Sequence, residues 1–120
     1  MSRERDELES MKPQRAMEMY FNYRGDDFSA KTTENYTSRI RSFVVWCEEV
    51  ADVDDMSELR GKHLYEWYEW RRDGNEYYDS CAPVTLDGLV SAVNTWLEWC
   101  ENYGCAQKGL STKLFRPELS

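Results

Sequence analysis

Apolar residues recur at helical spacing along the chain and predict four helices. Their predicted bounds are residues 12–23, 30–50, 61–72 and 83–103. Pro13 falls in the first turn of the first helix, and Ser29 is placed to cap the second. Gly104 follows the fourth helix as a left-handed C-terminal cap. Because no segment alternates apolar and polar residues for long between turn residues, the pattern predicts no strands.

The second and fourth helices carry the clearest apolar stripes. The stripe of the second comprises Tyr36, Ile40, Phe43, Val44 and Cys47, and that of the fourth comprises Leu86, Leu89, Val90, Val93, Leu97 and Cys100. Steps of three and four residues place such sets on one helix face. Both helices end on an aromatic residue, two further residues, then Trp-Cys-Glu. The repeated ending favours two similar helical hairpins, so the predicted fold is a compact all-α bundle of four helices.

The segments between and beyond these helices have distinct compositions. Residues 48–58 contain six carboxylates and no cation, which predicts a solvated connection. Helical periodicity disappears after Gly104. We therefore expect a charged, flexible N-terminus over residues 1–10, a helical domain over residues 11–104, and a linker or extended tail over residues 105–120.

Composition limits the class of protein. A length of 120 residues suits one domain, and 14% aromatic residues argue against disorder. No apolar run approaches the roughly 20 residues that span a bilayer, and the charged N-terminus is not a signal peptide. These features predict a soluble, cytoplasmic protein without a membrane partner.

The chain is strongly acidic, with 23 Asp and Glu against 15 Lys and Arg and a formal charge of −8. Few lysines with excess carboxylates are typical of proteins from salt-loving microbes, where salt screens the self-repulsion of the chain. The other interpretation is an ordinary acidic protein that avoids nucleic acid.

Residue sets for catalysis or metal binding are missing from the sequence. It contains no pattern of a Ser-His-Asp catalytic triad, no phosphate-binding glycine loop and no histidine spacing typical of a metal site. The four cysteines form no C-x-x-C pair and lie far in sequence from His63, the single histidine. We expect no cofactor and no enzymatic activity, and we expect Cys47 and Cys100 to be buried free thiols.

One polar face of the second helix carries no carboxylate over its first three turns. This face comprises Lys31, Asn35, Ser38, Arg39 and Ser42, with Thr32 and Thr33 in the first turn. Cations, hydroxyls and amides bind phosphate oxygens, and a helix N-terminus favours anions. Residues 29–47 carry a net charge of +2 while residues 48–58 carry −6, which suits steering of one face towards an anion.

The fourth helix carries a strip of small, uncharged residues opposite its apolar stripe. The strip comprises Val84, Gly88, Ser91 and Thr95. Small side chains let a helix backbone approach another surface closely, as a helix in a major groove must. Two interpretations stay open for this strip: contact with DNA, or packing against another helix or a partner protein.

Three segments resemble the core-binding domain of tyrosine recombinases, the phage-integrase group. Its opening helix pattern is similar to Ser29-x-x-Thr32-x-x-x-Tyr36-x-x-x-Ile40-x-x-Phe43-x-x-Trp46-Cys47. Its last helix is similar to Pro83-x-Thr85-x-x-x-Leu89-x-Ser91-Ala92-Val93-x-x-Trp96-Leu97-x-Trp99. Residues 59–68 fit the intervening helix. The resemblance extends over residues 10–110, and with the acidity it indicates a halophilic archaeal source.

The resemblance implies a SAM-like orthogonal bundle of two hairpins that forms half of a C-shaped clamp around double-stranded DNA. A separate catalytic domain closes the clamp and supplies the tyrosine nucleophile. The implied partners are double-stranded DNA and other recombinase protomers on it, with no small-molecule ligand. This chain is then non-catalytic by itself, and its tail leads into the absent catalytic domain.

The resemblance also implies which residues face DNA. They are Lys31, Thr32, Thr33 and Arg39 of the second helix, and Thr85, Gly88 and Ser91 of the last. With the polar positions above, the predicted DNA-binding set becomes Lys31, Thr32, Thr33, Asn35, Ser38, Arg39, Ser42, Thr85, Gly88, Ser91 and Thr95. The chain departs from the family in having Asp87, whose charge is unfavourable beside phosphates, and no basic residue near Thr95. The alternative function is an acidic all-α protein–protein interaction module.

Overall fold

A computed structural model describes residues 8–25 and 27–117 of the chain. Its four α-helices are α1 (Pro13–Arg24), α2 (Ala30–Val45), α3 (Gly61–Asp73) and α4 (Pro83–Tyr103). A π-helical turn at Trp46–Val50 extends α2, and two 3-10 turns occupy Met56–Glu58 and Leu110–Lys113. Because the described residues contain no strand, the all-α prediction is confirmed.

The helix ends lie close to their predicted positions because the sequence marks them. The Oγ of Ser29 accepts a hydrogen bond from the Thr32 backbone N–H at 3.1 Å and so caps α2. Pro13 begins α1. Gly104 ends α4 with a φ of 105°, in the left-handed region that glycine enters without strain.

An aromatic cluster joins α2, α3 and α4 at the centre of the core. Phe43 of α2 lies 5.4 Å from Trp67 of α3 and 5.8 Å from Trp96 of α4, measured between ring centroids. Phe43 and Trp96 hold the first position of the repeated sequence pattern, and both are fully buried. The repeat thus marks two helices that meet in the core.

The predicted burial of Cys47 and Cys100 as free thiols is confirmed. Burial raises the pKa of both thiols. The neutral thiols therefore behave as small apolar core residues.

The acidic connection is only partly solvated, which corrects the sequence-based prediction. Most of its carboxylates are exposed, yet Val53 and Met56 are buried. The Met56 N–H also donates to the carbonyl of Met11 at 2.8 Å. Single apolar residues, too few to form a periodic stripe, therefore fix this connection to the core.

The prediction of an extended tail after Gly104 is wrong for residues 105–113. Cys105, Ala106 and Leu110 are buried, and Glu101 accepts hydrogen bonds from the backbone of Gly109 and Ser111 at 2.8 and 2.7 Å. The segment packs by turns and side-chain-to-backbone hydrogen bonds, which leave no periodic pattern in the sequence.

At the other end of the chain, the flexible N-terminus predicted for residues 1–10 falls mostly on residues 1–7, which lie outside the described residues. The Glu9 N–H donates to the carbonyl of Gly104 at 2.8 Å. The Ser10 hydroxyl donates to the carboxylate of Asp55. Residues 9 and 10 are thus hydrogen-bonded to the folded domain.

Candidate nucleic-acid interface

The polar face of α2 and the small-residue strip of α4 meet where Arg39 lies against Gly88. A methyl group placed on Gly88 would lie 3.7 Å from Cζ of Arg39, and 3.8 and 3.9 Å from its two terminal nitrogens. The guanidinium therefore covers the backbone of α4 at the position where a side chain is missing. Two surfaces that the sequence predicted separately are adjacent at this point.

A row of two stacked rings with a cation at each end leads to this contact. Arg24 lies 4.6 Å from the centroid of the Phe28 ring, which stacks on Tyr36 at 5.2 Å. Cζ of Arg39 lies 5.9 Å from the Tyr36 ring. Cation–π attraction to Tyr36 and packing on Gly88 thus both position the half-buried Arg39 side chain. In the part of the chain that the structure describes, no carboxylate forms an ion pair with Arg39.

The N-terminal half of the α2 face lies on the surface as predicted. Lys31, Asn35 and Ser38 are exposed, and Thr32 and Thr33 are half-buried. The hydroxyl of Thr32 accepts a hydrogen bond from Ser29 at 2.9 Å, which orders the first turn of the helix. This surface presents a cation, an amide and hydroxyls beside the helix N-terminus.

Ser42 does not belong to the surface, so its predicted role in binding is wrong. Its side chain is only 1% exposed, and its hydroxyl donates to the carbonyl of Arg39 at 2.9 Å. Buried positions follow one another from Ser42 to Val44, so the core covers more of the helix circumference here than at the N-terminal end.

The α4 part of the interface carries partly engaged hydroxyls. Thr85 and Thr95 are exposed, and the Thr95 hydroxyl donates to the carbonyl of Ser91 at 3.1 Å. Gly88 and Ser91 are half-buried. Each hydroxyl oxygen keeps acceptor capacity, while Thr85 also keeps a free donor within the described structure.

Sequence reasoning missed one residue of this surface, Arg116. Its Nη1 lies 3.1 Å from a carboxylate oxygen of Asp87 and 2.9 Å from the Ser91 hydroxyl. The ion pair compensates the Asp87 charge that the sequence marked as unfavourable beside phosphates. No local pattern could indicate the contact, because it depends on the path of residues 105–116 back to α4.

Comparison with known proteins gives a structural relative. No family model matches the chain, and no curated protein matches its sequence. A crystal structure of the N-terminal domain of a phage integrase/site-specific recombinase from Haloarcula marismortui is 28% identical, with a TM-score of 0.82. The match covers 91% of this chain and 99% of that one. The chain is similar to a recombinase N-terminal domain.

This similarity confirms the resemblance predicted from the sequence. It extends over nearly all of the recombinase N-terminal domain, so it includes the arrangement of the helices and not one motif alone. None of the described helices is long and apolar enough to cross a membrane. No group of His, Cys, Asp and Glu side chains within residues 8–25 and 27–117 is arranged to hold a metal ion.

Proposed function

We propose that this chain is the core-binding domain of a site-specific tyrosine recombinase. Its α2 and α4 faces grip duplex DNA in the major groove, and the domain positions a separate catalytic domain for DNA integration or recombination. Other protomers occupy the same DNA in the cytoplasm. The observation that carries the proposal is the contact of Arg39 with Gly88, which joins the two carboxylate-poor faces into one surface.

The local charge supports DNA binding by an acidic domain. Lys31 is exposed and Arg39 has no ion-pair partner among the described residues. Phosphate contacts require a favourable charge only on the surface that faces DNA. The other carboxylates repel DNA from a longer distance, and salt screens that repulsion. Thr85 and Ser91 add hydroxyl groups, whose hydrogen bonds to DNA keep their value when salt weakens the release of counterions.

Fluorescence anisotropy with a labelled duplex that carries the att-like site of this recombinase, titrated over salt, tests the proposal. The double variant Lys31→Glu with Arg39→Glu should bind more weakly than the wild type. Its control, Lys12→Glu with Arg15→Glu, makes the same change of charge at two exposed positions at the start of α1, one just before the helix and one in its first turn. Equal loss in both variants would reduce the effect to net charge and contradict the proposed interface.

The second candidate function is an acidic protein–protein interaction module, and an exposed aromatic cluster favours it. Tyr23 is 67% exposed and lies 6.1 Å from Trp99, which stacks on Tyr103 at 5.2 Å. Exposed aromatic residues are enriched at protein interfaces. If the wild-type chain binds neither its att-like site nor unrelated duplex at low salt, the interaction module becomes the better account.

A further inference from the structure

The C-terminal segment, residues 109–116, follows a fixed path over the surface of the domain. Glu101 bonds to its first backbone groups, and Leu110 and Ser111 are buried. The Lys113 side chain crosses the start of α3, where its Cδ would lie 3.1 Å from a methyl group on Gly61. The segment is thus anchored before it reaches the candidate interface.

Phe115 anchors the last part of this segment on α3. Its ring lies 4.8 Å from the ring of Tyr65 and 6.1 Å from that of Tyr68, measured between centroids. The following residue, Arg116, reaches α4 at Asp87 and Ser91. Two consecutive side chains therefore bridge α3 and α4, which directs the guanidinium onto the α4 face.

Arg116 keeps part of its hydrogen-bonding capacity. Asp87 and Ser91 both bond to Nη1, and within the described structure Nε and Nη2 have no partner. These two nitrogens form the fork that binds two oxygens of one phosphate. The side chain is 49% exposed, so a ligand on the α4 face can reach it.

We propose that Arg116 binds a DNA backbone phosphate and that Asp87 is the positioning residue that orients it. The inference rests on the proposed function, since it assigns a phosphate contact to the same interface. One edge of the guanidinium bonds to α4 and the other faces the phosphate. Asp87 then favours DNA binding because it orients Arg116. Its negative charge alone would oppose DNA binding.

Anisotropy titrations over salt with the att-like duplex test this assignment. Arg116→Ala should weaken binding about tenfold, the effect of one charge-assisted hydrogen bond. It should also reduce the slope of log K against log salt by about 0.9, the value for one lost phosphate contact. The matched controls Arg72→Ala and Asp73→Ala break an exposed ion pair at the end of α3 and should leave affinity and slope unchanged.

A second pair of variants separates phosphate binding from the mere masking of Asp87. If Arg116 only masks that carboxylate, the double variant Asp87→Ala with Arg116→Ala regains wild-type affinity. Our assignment predicts that the double variant stays weaker than the wild type, because the phosphate contact of Arg116 is still lost. It also predicts that Asp87→Ala alone weakens DNA binding. The conservative variant Asp87→Glu, which keeps the carboxylate, should bind DNA as the wild type does.

Three results would overturn the assignment while the wild type still binds DNA: unchanged affinity of Arg116→Ala, recovery in the double variant, or tighter binding by Asp87→Ala. Absence of binding by the wild type would instead overturn the proposed function, and this inference with it. Urea unfolding of each variant verifies that the domain is folded.

Discussion

At the scale of single residues, the candidate interface depends on one missing side chain. Because Gly88 has no side chain, the guanidinium of Arg39 from α2 packs directly on the backbone of α4. The ring of Tyr36 also lies within cation–π distance of the Arg39 guanidinium. A small residue on a helix thus has a specific role here, which is to leave room for a guanidinium from a neighbouring helix.

Two substitutions at Gly88 should separate stability from binding. A methyl group fits at ordinary contact distance from Arg39, and alanine favours a helix interior by about 0.5–1 kcal/mol over glycine. Urea unfolding should therefore show that Gly88→Ala stabilises the domain by about that amount with DNA affinity unchanged. Gly88→Leu should displace Arg39 and weaken DNA binding in a folded protein. Wild-type affinity of Gly88→Leu would contradict the role given to this contact.

Sequence reasoning found the exposed residues of this surface but failed at two residues. Helical spacing predicted Lys31 and Arg39, because it identifies surface positions reliably where one side of a helix is solvated. Ser42 lies beside the apolar stripe, and helical spacing alone does not show how far the core extends around α2. Arg116 depends on a contact across 29 residues, for which a single sequence offers no signal.

At the scale of elements, a histidine fixes the start of α3. The Nδ1 of His63 accepts a hydrogen bond from the Arg60 backbone N–H at 2.9 Å, and its ring lies 6.1 Å from that of Trp46. Burial lowers the pKa of His63 below its usual 6.5, and the charge of Lys62 acts in the same direction. The folded state therefore keeps the neutral imidazole that this hydrogen bond requires.

This arrangement makes stability depend on pH in a defined window. The unfolded chain binds a proton at His63 with the ordinary pKa near 6.5, while the folded chain does so only at lower pH. The stabilisation that the neutral imidazole contributes is complete above the unfolded pKa, and it decreases as the pH falls from 7 towards 5. Urea unfolding over this range should show the decrease in the wild type and a smaller one in His63→Gln. Equal pH dependence in both would refute the assignment.

The helices themselves were predictable because short-range chemistry defines their ends. Ser29, Pro13 and Gly104 each act within one helical turn of the position they mark. Residues 105–113 were not predictable, since their burial depends on hydrogen bonds to Glu101 and on a turn without periodic apolar residues. Local signals therefore establish the bundle, and tertiary contacts decide the path of the chain that leaves it.

At the scale of the whole molecule, charge is distributed unevenly over an acidic domain. Residues 48–58 hold six of the 23 carboxylates, whereas α2 presents Lys31 at its exposed start and places Arg39 against Gly88 of α4. Repulsion among the acidic residues destabilises the folded state at low salt and is screened as salt rises. Screening also weakens phosphate contacts, so stability and DNA affinity should respond to salt in opposite directions.

Salt should raise the free energy of unfolding. We expect a steady increase as KCl rises from low salt to about 1 M, where the Debye length is roughly 3 Å. The variant Asp52→Asn with Asp54→Asn should show a smaller increase, because it removes two exposed charges from the acidic segment. Asparagine also tolerates the left-handed backbone of Asp52, whose φ is 56°. An identical salt dependence in the variant would show that repulsion in this segment is not the cause.

The central claim is that α2 and α4 present one continuous surface to DNA. Titration of the ¹⁵N-labelled chain with its att-like duplex, followed by backbone amide chemical shifts, tests this claim directly. We predict that the shifted amides include Thr32, Asn35, Arg39, Gly88 and Ser91, while those of Tyr23 and Tyr103 stay unchanged. Shifts confined to one helix, or centred on Tyr23 and Tyr103, would contradict the account.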